Sequence, residues 1–301
     1  MAYYLGIDGG ATKTTCAAGD EDSVLATASG GPSNITRIGE SGVRQALHAV
    51  IGEACAAARI APGDISRSCL GVAGAGRREV ASLIRLIVGE IISGEIEVTG
   101  DMPIALEAAF GDGPGVIVIA GTGSFAYGRN VDGKTARAGG WGFAISDEGS
   151  AHWIGRMAVS EILRNVDAGR DSSALLEKLM QLRDLSSFDE FVRSANSVAD
   201  FAAFFPAITE MAQSGDATAL KVLREAGRQL AELAGVVLGR LFAGDNSSSV
   251  PLAMAGGVFR HAPIVRESFY NEVLKLRPSV TLSGDIAEPV YGALRRARRR
   301  D

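Results

Sequence analysis

Cysteine and histidine are scarce in this 301-residue sequence, which contains three of each. Cys16, Cys55 and Cys69 are far apart, whereas a disulfide framework or a zinc site needs clustered or regularly spaced ligands. We expect the cysteines to be small buried residues and the histidines to be structural. No G-x-S-x-G segment is present, so nothing indicates a hydrolase with a serine nucleophile.

Long apolar runs and a positive net charge are also missing. No stretch approaches the ~20 consecutive apolar residues that span a bilayer, and no charged leader precedes the first apolar segment. We therefore expect a cytoplasmic protein with no membrane partner. The formal charge of -5 gives no reason to expect nucleic-acid binding, which depends on lysine and arginine. Only the tail "LRRARRR" is strongly basic, and we expect its arginines to be solvated at a helix end.

Glycine, in contrast, is abundant, and many of the 38 glycines follow short apolar runs, where they mark strand ends and turns. The pattern predicts strands at 3–8, 14–20, 23–29, 67–73, 95–99, 250–254 and 279–282, with three more strands within 115–142. It predicts helices at 39–59, 78–91, 103–110, 148–165, 172–182, 198–213, 217–242, 262–275 and from 288.

Two segments share one layout, in which a strand, a glycine turn and a second strand follow one another. Aligning "GIDGGATKT" with "VIAGTGSFA" places Gly9 near Gly121 and indicates an internal repeat. In a Rossmann sheet the first glycine turn leads into a helix, whereas both turns here lead into hairpins. We therefore expect an α/β fold with a duplicated β-β-β-α-β-α unit. The two lobes would be residues 1–114 plus 288–301, and residues 115–287 with a helical insert.

Three glycine turns are candidates for nucleotide binding. In "DGGATKT" the glycines let backbone amides approach an anion, and Thr12 and Lys13 add side-chain donors. The turn "AGTGS" at 120–124 repeats this chemistry. A third turn, "AGGVF" at 255–259, would let an adenine or ribose approach the backbone. The alternatives are ordinary tight hairpins for the first two and helix packing through glycine for the third.

Two aspartates follow predicted strands at their carboxyl ends, where ligands bind in open α/β sheets. Asp8 could hold a Mg2+ ion through water, or it could serve only to form the turn. Asp101 could orient and deprotonate an attacking hydroxyl in phosphoryl transfer. It could also cap the following helix, and the two roles can coexist.

The segment "GGWGFAISDEGS" at 139–150 pairs an aromatic residue with two carboxylates. Carboxylates hold polyols by hydrogen bonds and apolar faces pack against sugar rings, so Trp141, Asp147 and Glu148 could line a sugar pocket. The alternatives are a core position for Trp141 and a helix cap for Asp147. Asn34 in "GGPSNIT" could bind a hydroxyl or acetamido oxygen, although a loop asparagine in a turn is the simpler interpretation.

Together these segments resemble the N-acetylglucosamine kinases and their relatives in the BadF/BadG/BcrA/BcrD ATPase family, in the superfamily of actin, sugar kinases and heat-shock chaperones. The resemblance covers nearly the whole chain, and "GGWG" followed by "DEGS" is its most specific element. It implies two ribonuclease H-like lobes in an actin-like ATPase fold, with ATP and sugar in the cleft between them. The repressor and sugar-kinase group is a poorer match, because its zinc-binding cysteine cluster is missing.

The resemblance also implies residue roles. It assigns the first phosphate loop to Gly9, Gly10, Thr12 and Lys13, the second to Gly121, Thr122 and Gly123, and the adenosine contacts to Gly256 and Gly257. The catalytic base would be Asp101. The sugar contacts would be Asn34, Asp101, Ser124, Gly140, Trp141, Asp147 and Glu148. Ile35 and Thr36 follow the asparagine where some relatives have His and Trp, which leaves open whether the sugar is N-acetylated.

The leading hypothesis is a kinase that uses ATP and Mg2+ to phosphorylate an amino sugar, N-acetylglucosamine or glucosamine, at its 6-hydroxyl. One alternative is the ATPase activator of a radical 2-hydroxyacyl-CoA dehydratase, which would hold an iron-sulfur cluster with cysteines from the middle of the chain. The sequence has no cysteine after Cys69. The other is a sugar-binding regulator without catalysis, which the presence of Asp8 and Asp101 disfavours. The sequence leaves a homodimer open.

Overall fold

The structure, a computed structural model, describes residues 2–170, 174–197, 200–243 and 249–299. The chain divides into two compact units. One consists of Met1–Gly113 with Ala287–Asp301, and the other of Pro114–Ile286. None of the helices in the described ranges is both long and apolar enough to cross a membrane.

The first unit is built on one five-stranded sheet. Its strands are β1 (Tyr3–Gly9), β2 (Thr14–Gly19), β3 (Val24–Gly30), β4 (Ile65–Val72) and β5 (Glu95–Thr99), and its first three helices are α1 (Ile35–Ala58), α2 (Arg78–Gly89) and α3 (Asp101–Phe110). The strand order is β3-β2-β1-β4-β5. The first three strands pair antiparallel, and β4 pairs in parallel with both β1 and β5.

The second unit repeats this sheet and adds helices. Its strands are β6 (Gly115–Ala120), β7 (Ser124–Arg129), β8 (Thr135–Gly139), β9 (Val250–Ala255) and β10 (Val280–Ala287). Its helices are α4 (Ala151–Asp167), α5 (Ala174–Leu182), α6 (Phe188–Asn196), α7 (Phe205–Gln213), α8 (Ala217–Phe242), α9 (Gly257–His261) and α10 (Pro263–Leu276). The order β10-β9-β6-β7-β8 matches the first sheet strand for strand, which confirms the predicted duplicated α/β fold.

The last helix, α11 (Pro289–Arg298), belongs to the first unit and covers one face of its sheet. Alternate residues of β1 therefore enter two cores: Leu5 and Ile7 pack with α1 and α2, and Tyr4 packs with α11. This explains why β1 is apolar from Tyr3 to Ile7, since a strand covered on both faces has no polar side. A Cβ at Gly6 would lie 2.2 Å from the backbone nitrogen of Leu294, so only glycine allows α11 this close.

The arginines of the carboxyl-terminal tail are bound to the protein, and the expectation that they are solvated is wrong. Arg296 pairs with Glu97, and Arg299 with the buried carboxylate of Glu107. Arg298 donates hydrogen bonds of 2.7 Å to two backbone carbonyls of the β2–β3 turn. Because α11 lies across the sheet, its basic side chains reach carboxylates and carbonyls of the first unit. Arg300 lies outside the described residues.

Several helix boundaries differ from the predicted ones because of local interactions. Helix α1 begins at Ile35, four residues earlier than expected, and has a kink at Gly39, where φ is +68°. Helix α4 begins at Ala151, because the side chain of Ser150 accepts a hydrogen bond from the Trp153 amide and caps it. Helix α7 begins at Phe205 after a 3-10 turn. The starts predicted at 172 and 198 lie outside the described residues, and α6 was not predicted.

Candidate active site

The first glycine turn is a tight hairpin braced by two neighbouring loops. The Gly10 amide donates to the carbonyl of Lys13 at 2.9 Å, which closes the turn between β1 and β2. The Ser33 amide donates to the Gly10 carbonyl at 3.1 Å, and the Ala73 amide to the Gly9 carbonyl at 2.9 Å. Both carbonyls are therefore satisfied within the protein, while Thr12 and Lys13 at the tip are exposed.

Gly9 is required by the packing of this hairpin. A Cβ at position 9 would lie 2.4 Å from the hydroxyl oxygen of Ser33. That hydroxyl is fully buried and has no hydrogen-bond partner among the described residues. The Ser33 loop packs closely against the hairpin at this position, and only glycine leaves room for it. Packing therefore requires glycine here, in addition to any contact with a ligand.

Three carboxylates meet near the end of β1. Asp8 is half-buried there, and burial is the largest of the effects that raise its pKa to about 7. The negative charges of Asp101 and Glu288 raise the pKa further, while Lys13 lowers it. Sequence reasoning missed Glu288, although it directly precedes the Pro289 that begins α11 and follows the last strand.

The alternative interpretation of Asp101 as a helix cap is wrong. The N-cap of α3 is Gly100, and Asp101 is the first residue of the helix. A carboxylate in the first turn is stabilised by the partial positive charge of the helix N-terminus. The helix therefore presents Asp101 beside Asp8 at the carboxyl ends of the parallel strands.

Asn34 is a helix cap and not a residue in an isolated turn. Its side-chain oxygen accepts a hydrogen bond of 3.0 Å from the Thr36 amide at the start of α1. Because the cap uses the oxygen, the amide nitrogen of Asn34 is the group that could donate to a sugar oxygen.

The second glycine turn, in the second unit, has the same construction as the first. The Gly121 amide donates to the Gly123 carbonyl at 2.9 Å, and the Ala151 amide donates to the Gly121 carbonyl at 2.8 Å. Ser124 is almost fully buried, and its hydroxyl donates to the backbone carbonyl of Glu148 at 2.7 Å. This hydrogen bond joins the turn to the "DEGS" segment. It uses the proton of the Ser124 hydroxyl, the group that was predicted to contact sugar.

Asp147 lies in that segment, with a strained backbone conformation and a side chain whose hydrogen bonding is incomplete. Its φ is +67°, and it is 7% exposed. Burial is the largest effect on its pKa and raises it, while hydrogen bonds from the Gly142 and Ser124 amides oppose this. Its Oδ1 is buried with no hydrogen-bond partner among the described residues. Ser150 caps the following helix, so the cap interpretation of Asp147 is wrong.

Trp141 is exposed, and the interpretation of it as a core residue is wrong. The side chain is 68% exposed, and the guanidinium of Arg137 lies 3.9 Å from its ring centroid. The preceding Gly140 has φ of +72°, a conformation that favours glycine. Glu148 is half-buried, and its carboxylate accepts a hydrogen bond of 3.3 Å from the Ser146 hydroxyl.

The third glycine turn lies against the second. Gly256 has φ of +97°, and a Cβ there would come within 2.3 Å of the Ala120 carbonyl oxygen at the end of β6. Packing through glycine therefore accounts for Gly256. It does not account for Gly257, because a Cβ there would have its nearest neighbouring atom at 3.9 Å, an ordinary van der Waals distance.

The structure thus brings the predicted residues together within each unit. In the first unit Asp8, Gly9, Gly10 and Asp101 share one edge of the sheet. In the second unit Gly123 lies against Asp147, Ser124 is bonded to Glu148, and the Gly256 turn lies against Ala120 at the end of β6.

Comparison with known proteins agrees with this architecture. The model of the BadF/BadG/BcrA/BcrD ATPase family matches residues 5–294. An N-acetylmuramic acid/N-acetylglucosamine kinase of Clostridium acetobutylicum is 31% identical over 98% of this chain and 97% of its own. An N-acetyl-D-glucosamine kinase of Dictyostelium discoideum is 27% identical over 96% of each chain. A solved Chromobacterium violaceum structure that bears the name of an N-acetylglucosamine kinase superposes with a TM-score of 0.77, at 25% identity and 98% coverage of both chains. The chain belongs to the BadF/BadG/BcrA/BcrD ATPase family.

Proposed function

We propose that this protein is a cytoplasmic kinase that transfers the γ-phosphoryl group of ATP to the 6-hydroxyl of an amino sugar. The observation that carries the proposal is the pair of braced glycine hairpins at equivalent positions of two sheets with the same strand order. The curated relatives named as amino-sugar kinases, matched along nearly the full chain, support it.

The nucleotide would be held mainly by backbone groups. Exposed amides of glycine turns can approach phosphate oxygens closely, and Lys13 adds a positive charge at the tip of the first turn. We assign the phosphates to Gly9, Gly10, Thr12, Lys13, Gly121, Thr122 and Gly123, and the adenosine to Gly256 and Gly257. Gly257 begins a helix without a packing requirement of its own, which suits close approach by a ligand.

Asp101 would be the catalytic base. Phosphoryl transfer depends chiefly on positioning and on neutralising charge, with a carboxylate to orient and deprotonate the acceptor hydroxyl. Asp101 would accept the proton of the sugar hydroxyl as that oxygen attacks the γ-phosphorus, and the bond from the γ-phosphorus to the β–γ bridging oxygen would break to release ADP. Its place at a helix N-terminus stabilises the ionised form that accepts this proton.

The carboxylates at the end of β1 fit a bound Mg2+ ion. No three His, Cys, Asp or Glu side chains in the described ranges form a direct metal cage. Mg2+ in kinases keeps several waters and binds one or two carboxylates together with substrate phosphates. Asp8 would hold the ion through water, and the ion would supply charge neutralisation for the phosphates. A cation there would also offset the repulsion that Asp8 experiences from Asp101 and Glu288.

We assign the sugar contacts to the residues that the resemblance implies. Asn34 would donate its amide nitrogen to a sugar oxygen, and the unpartnered Oδ1 of Asp147 would accept from a sugar hydroxyl. A strained residue with a buried unpaired oxygen is the kind of feature that persists at ligand sites. The remaining proposed contacts are Ser124, Gly140, Trp141 and Glu148.

The dehydratase-activator alternative gains no support from the cysteines. All three are free and buried in the first unit, where Cys16 and Cys69 are fully inaccessible. Thiolates that ligate a cluster shared between subunits must reach the surface, and these side chains fill the core of the sheet.

The proposal is tested by incubating the protein with ATP, Mg2+ and single sugars, and measuring sugar phosphate by mass spectrometry. The panel comprises glucosamine, N-acetylglucosamine, N-acetylmuramic acid, N-acetylmannosamine and glucose. We expect phosphorylation of at least one amino sugar, with glucose much poorer. The absence of product from every sugar would contradict the kinase proposal.

A further inference from the structure

Four backbone carbonyl groups of the first glycine turn accept hydrogen bonds from the protein. The carbonyls of Gly9, Gly10 and Lys13 accept from backbone amides at 2.9 to 3.1 Å. The fourth bond comes from a side chain, because Nη1 of Arg37 donates to the Ala11 carbonyl at 3.0 Å. Arg37 thus completes a set of bonds that holds the turn from its base to its tip.

Arg37 lies in the first turn of α1, a position that is electrostatically unfavourable for a cation. Asn34 caps this helix, and the Arg37 amide donates to the Asn34 carbonyl at 3.0 Å. The partial positive charge of a helix N-terminus repels a neighbouring cation, and residues 35–38 contain no acidic residue that would offset it. The helix itself therefore does not explain an arginine here, whereas the bond to Ala11 gives it a role.

The bond to Arg37 fixes the direction of the peptide group between Ala11 and Thr12. A trans peptide is planar, so its carbonyl and the following N–H point in opposite directions. Because the Ala11 carbonyl points to Arg37, the Thr12 amide is directed away from that side chain. Successive amides that are held in one direction can bind an anion, whereas a carbonyl oxygen turned toward phosphates would repel them.

We infer that Arg37 is a positioning residue for the nucleotide, because its bond to Ala11 holds the tip of the first glycine turn in the conformation that binds phosphate. The inference rests on the proposed kinase function, in which this turn holds phosphates of ATP. Arg37 acts through the turn and does not have to touch the nucleotide. A hydrogen bond from an ionised donor is stronger than one between neutral groups, which suits a guanidinium to this role.

The alternative is that Arg37 stabilises only the fold of the first unit. Its side chain is exposed, and substitutions of exposed residues usually change the free energy of unfolding little. The two roles therefore predict different results. A positioning role affects nucleotide binding and the mobility of the turn, whereas a role in the fold affects thermal stability and both substrates together.

The test compares two variants of the same helix. Arg37→Met removes the donor and retains a long side chain that is compatible with a helix. Arg44→Met is the matched control, because it removes the same charge from α1 at a residue that pairs with Glu40 and Glu90. Calorimetry with Mg2+ measures binding of the β,γ-imido analogue of ATP and, separately, of N-acetylglucosamine. Hydrogen exchange of residues 10–14 without ligand measures the mobility of the turn, and initial rates give KM for ATP and for sugar.

We expect Arg37→Met to bind the ATP analogue at least ~10-fold more weakly than the wild type, as the loss of a hydrogen bond from a charged donor implies. Its KM for ATP should rise, and exchange in the turn should be faster. Its sugar affinity and unfolding temperature should stay close to those of the wild type. Arg44→Met should match the wild type in nucleotide binding and in exchange.

Unchanged binding of the analogue by Arg37→Met would overturn the inference. Equal losses in the two variants, or an equal loss of sugar affinity in Arg37→Met, would also overturn it. Sugar phosphorylation by the wild type would uphold the kinase proposal in each of these cases. If no sugar were phosphorylated, the kinase proposal would fail, and binding of the analogue together with hydrogen exchange would still decide the role of Arg37.

Discussion

Nη2 of Arg299 lies 2.7 Å from both carboxylate oxygens of Glu107, a side chain that is only 2% exposed. Glu107 belongs to α3, the helix that begins with Asp101, and Arg299 directly follows α11. The pair therefore ties the end of the chain to the helix that carries the proposed base.

Removing one partner of this pair should destabilise the protein. Among the residues that the structure describes, Arg299→Ala leaves the buried carboxylate of Glu107 with one cation within ion-pair distance, Arg295 at 4.0 Å. We expect a loss of about 2 to 4 kcal/mol in the free energy of unfolding, measured by urea denaturation. Lys275→Ala is the control, because it breaks an exposed pair with Glu272 and should cost less than about 1 kcal/mol. Equal losses in the two variants would show that the Glu107 pair does not stabilise the first unit.

Two glycines of the second turn should respond differently to alanine. A Cβ at Gly123 would come within 2.8 Å of Oδ2 of Asp147, whereas a Cβ at Gly121 would have no atom within 4 Å. Gly123→Ala should therefore displace the carboxylate and weaken sugar binding about tenfold, a change of about 1.4 kcal/mol. Gly121→Ala should leave sugar binding unchanged when calorimetry is performed without nucleotide. Similar affinities in the two variants would remove Asp147 from the sugar site.

The raised pKa of Asp8 should make stability depend on pH in a particular direction. Below the ordinary pKa of 3.8 the carboxyl group is protonated in both the folded and the unfolded state, so its ionisation does not change the free energy of unfolding. As the pH rises toward about 7, the unfolded chain ionises while the folded protein retains the proton, so stability is lost, and above about 7 the loss is complete. Since each pKa unit is worth about 1.4 kcal/mol, the cost is on the order of a few kcal/mol.

Asp8→Asn should remove the loss of stability that ionisation of Asp8 causes. It should also abolish activity, because the variant lacks the carboxylate that is proposed to hold Mg2+. Without nucleotide or Mg2+, we expect the variant to be more stable than the wild type at pH 8, with the difference shrinking toward pH 5. Glu288→Gln should move the same pH dependence to lower pH, because the charge of Glu288 raises the pKa of Asp8. Thermal unfolding from pH 5 to 8 measures both effects. A stability difference that did not vary with pH would contradict the assigned pKa.

Local features of the fold could be predicted from the sequence, including the glycine turns between paired strands and the aspartates near the ends of β1 and β5. The glycine turns and the aspartates at strand ends depend on neighbouring residues, so a single stretch such as "DGGATKT" contains the whole signal. Helix α6 could have been predicted in the same way. Ser187 caps it by accepting from the Glu190 amide at 3.3 Å, and serine followed three residues later by glutamate is a known helix start.

Relations between distant segments could not be predicted from these local patterns. Glu288 acts on Asp8 only because α11 returns to the first sheet, nearly the full length of the chain away. Because α11 packs on the first sheet, the arginines near its end pair with Glu97 and Glu107 and are not solvated at a free helix end. Likewise, the exposure of Trp141 depends on the path of the 140–146 loop, which the sequence does not specify.

The most direct test of the proposed mechanism is the turnover of Asp101→Asn relative to the wild type, with sugar binding measured on the same samples. Using the best amino sugar of the panel, we expect the variant to bind sugar nearly as tightly as the wild type. Its turnover number should be at least ~10²-fold lower, the lower range for the loss of a general base. An unchanged turnover number in the variant would contradict the account.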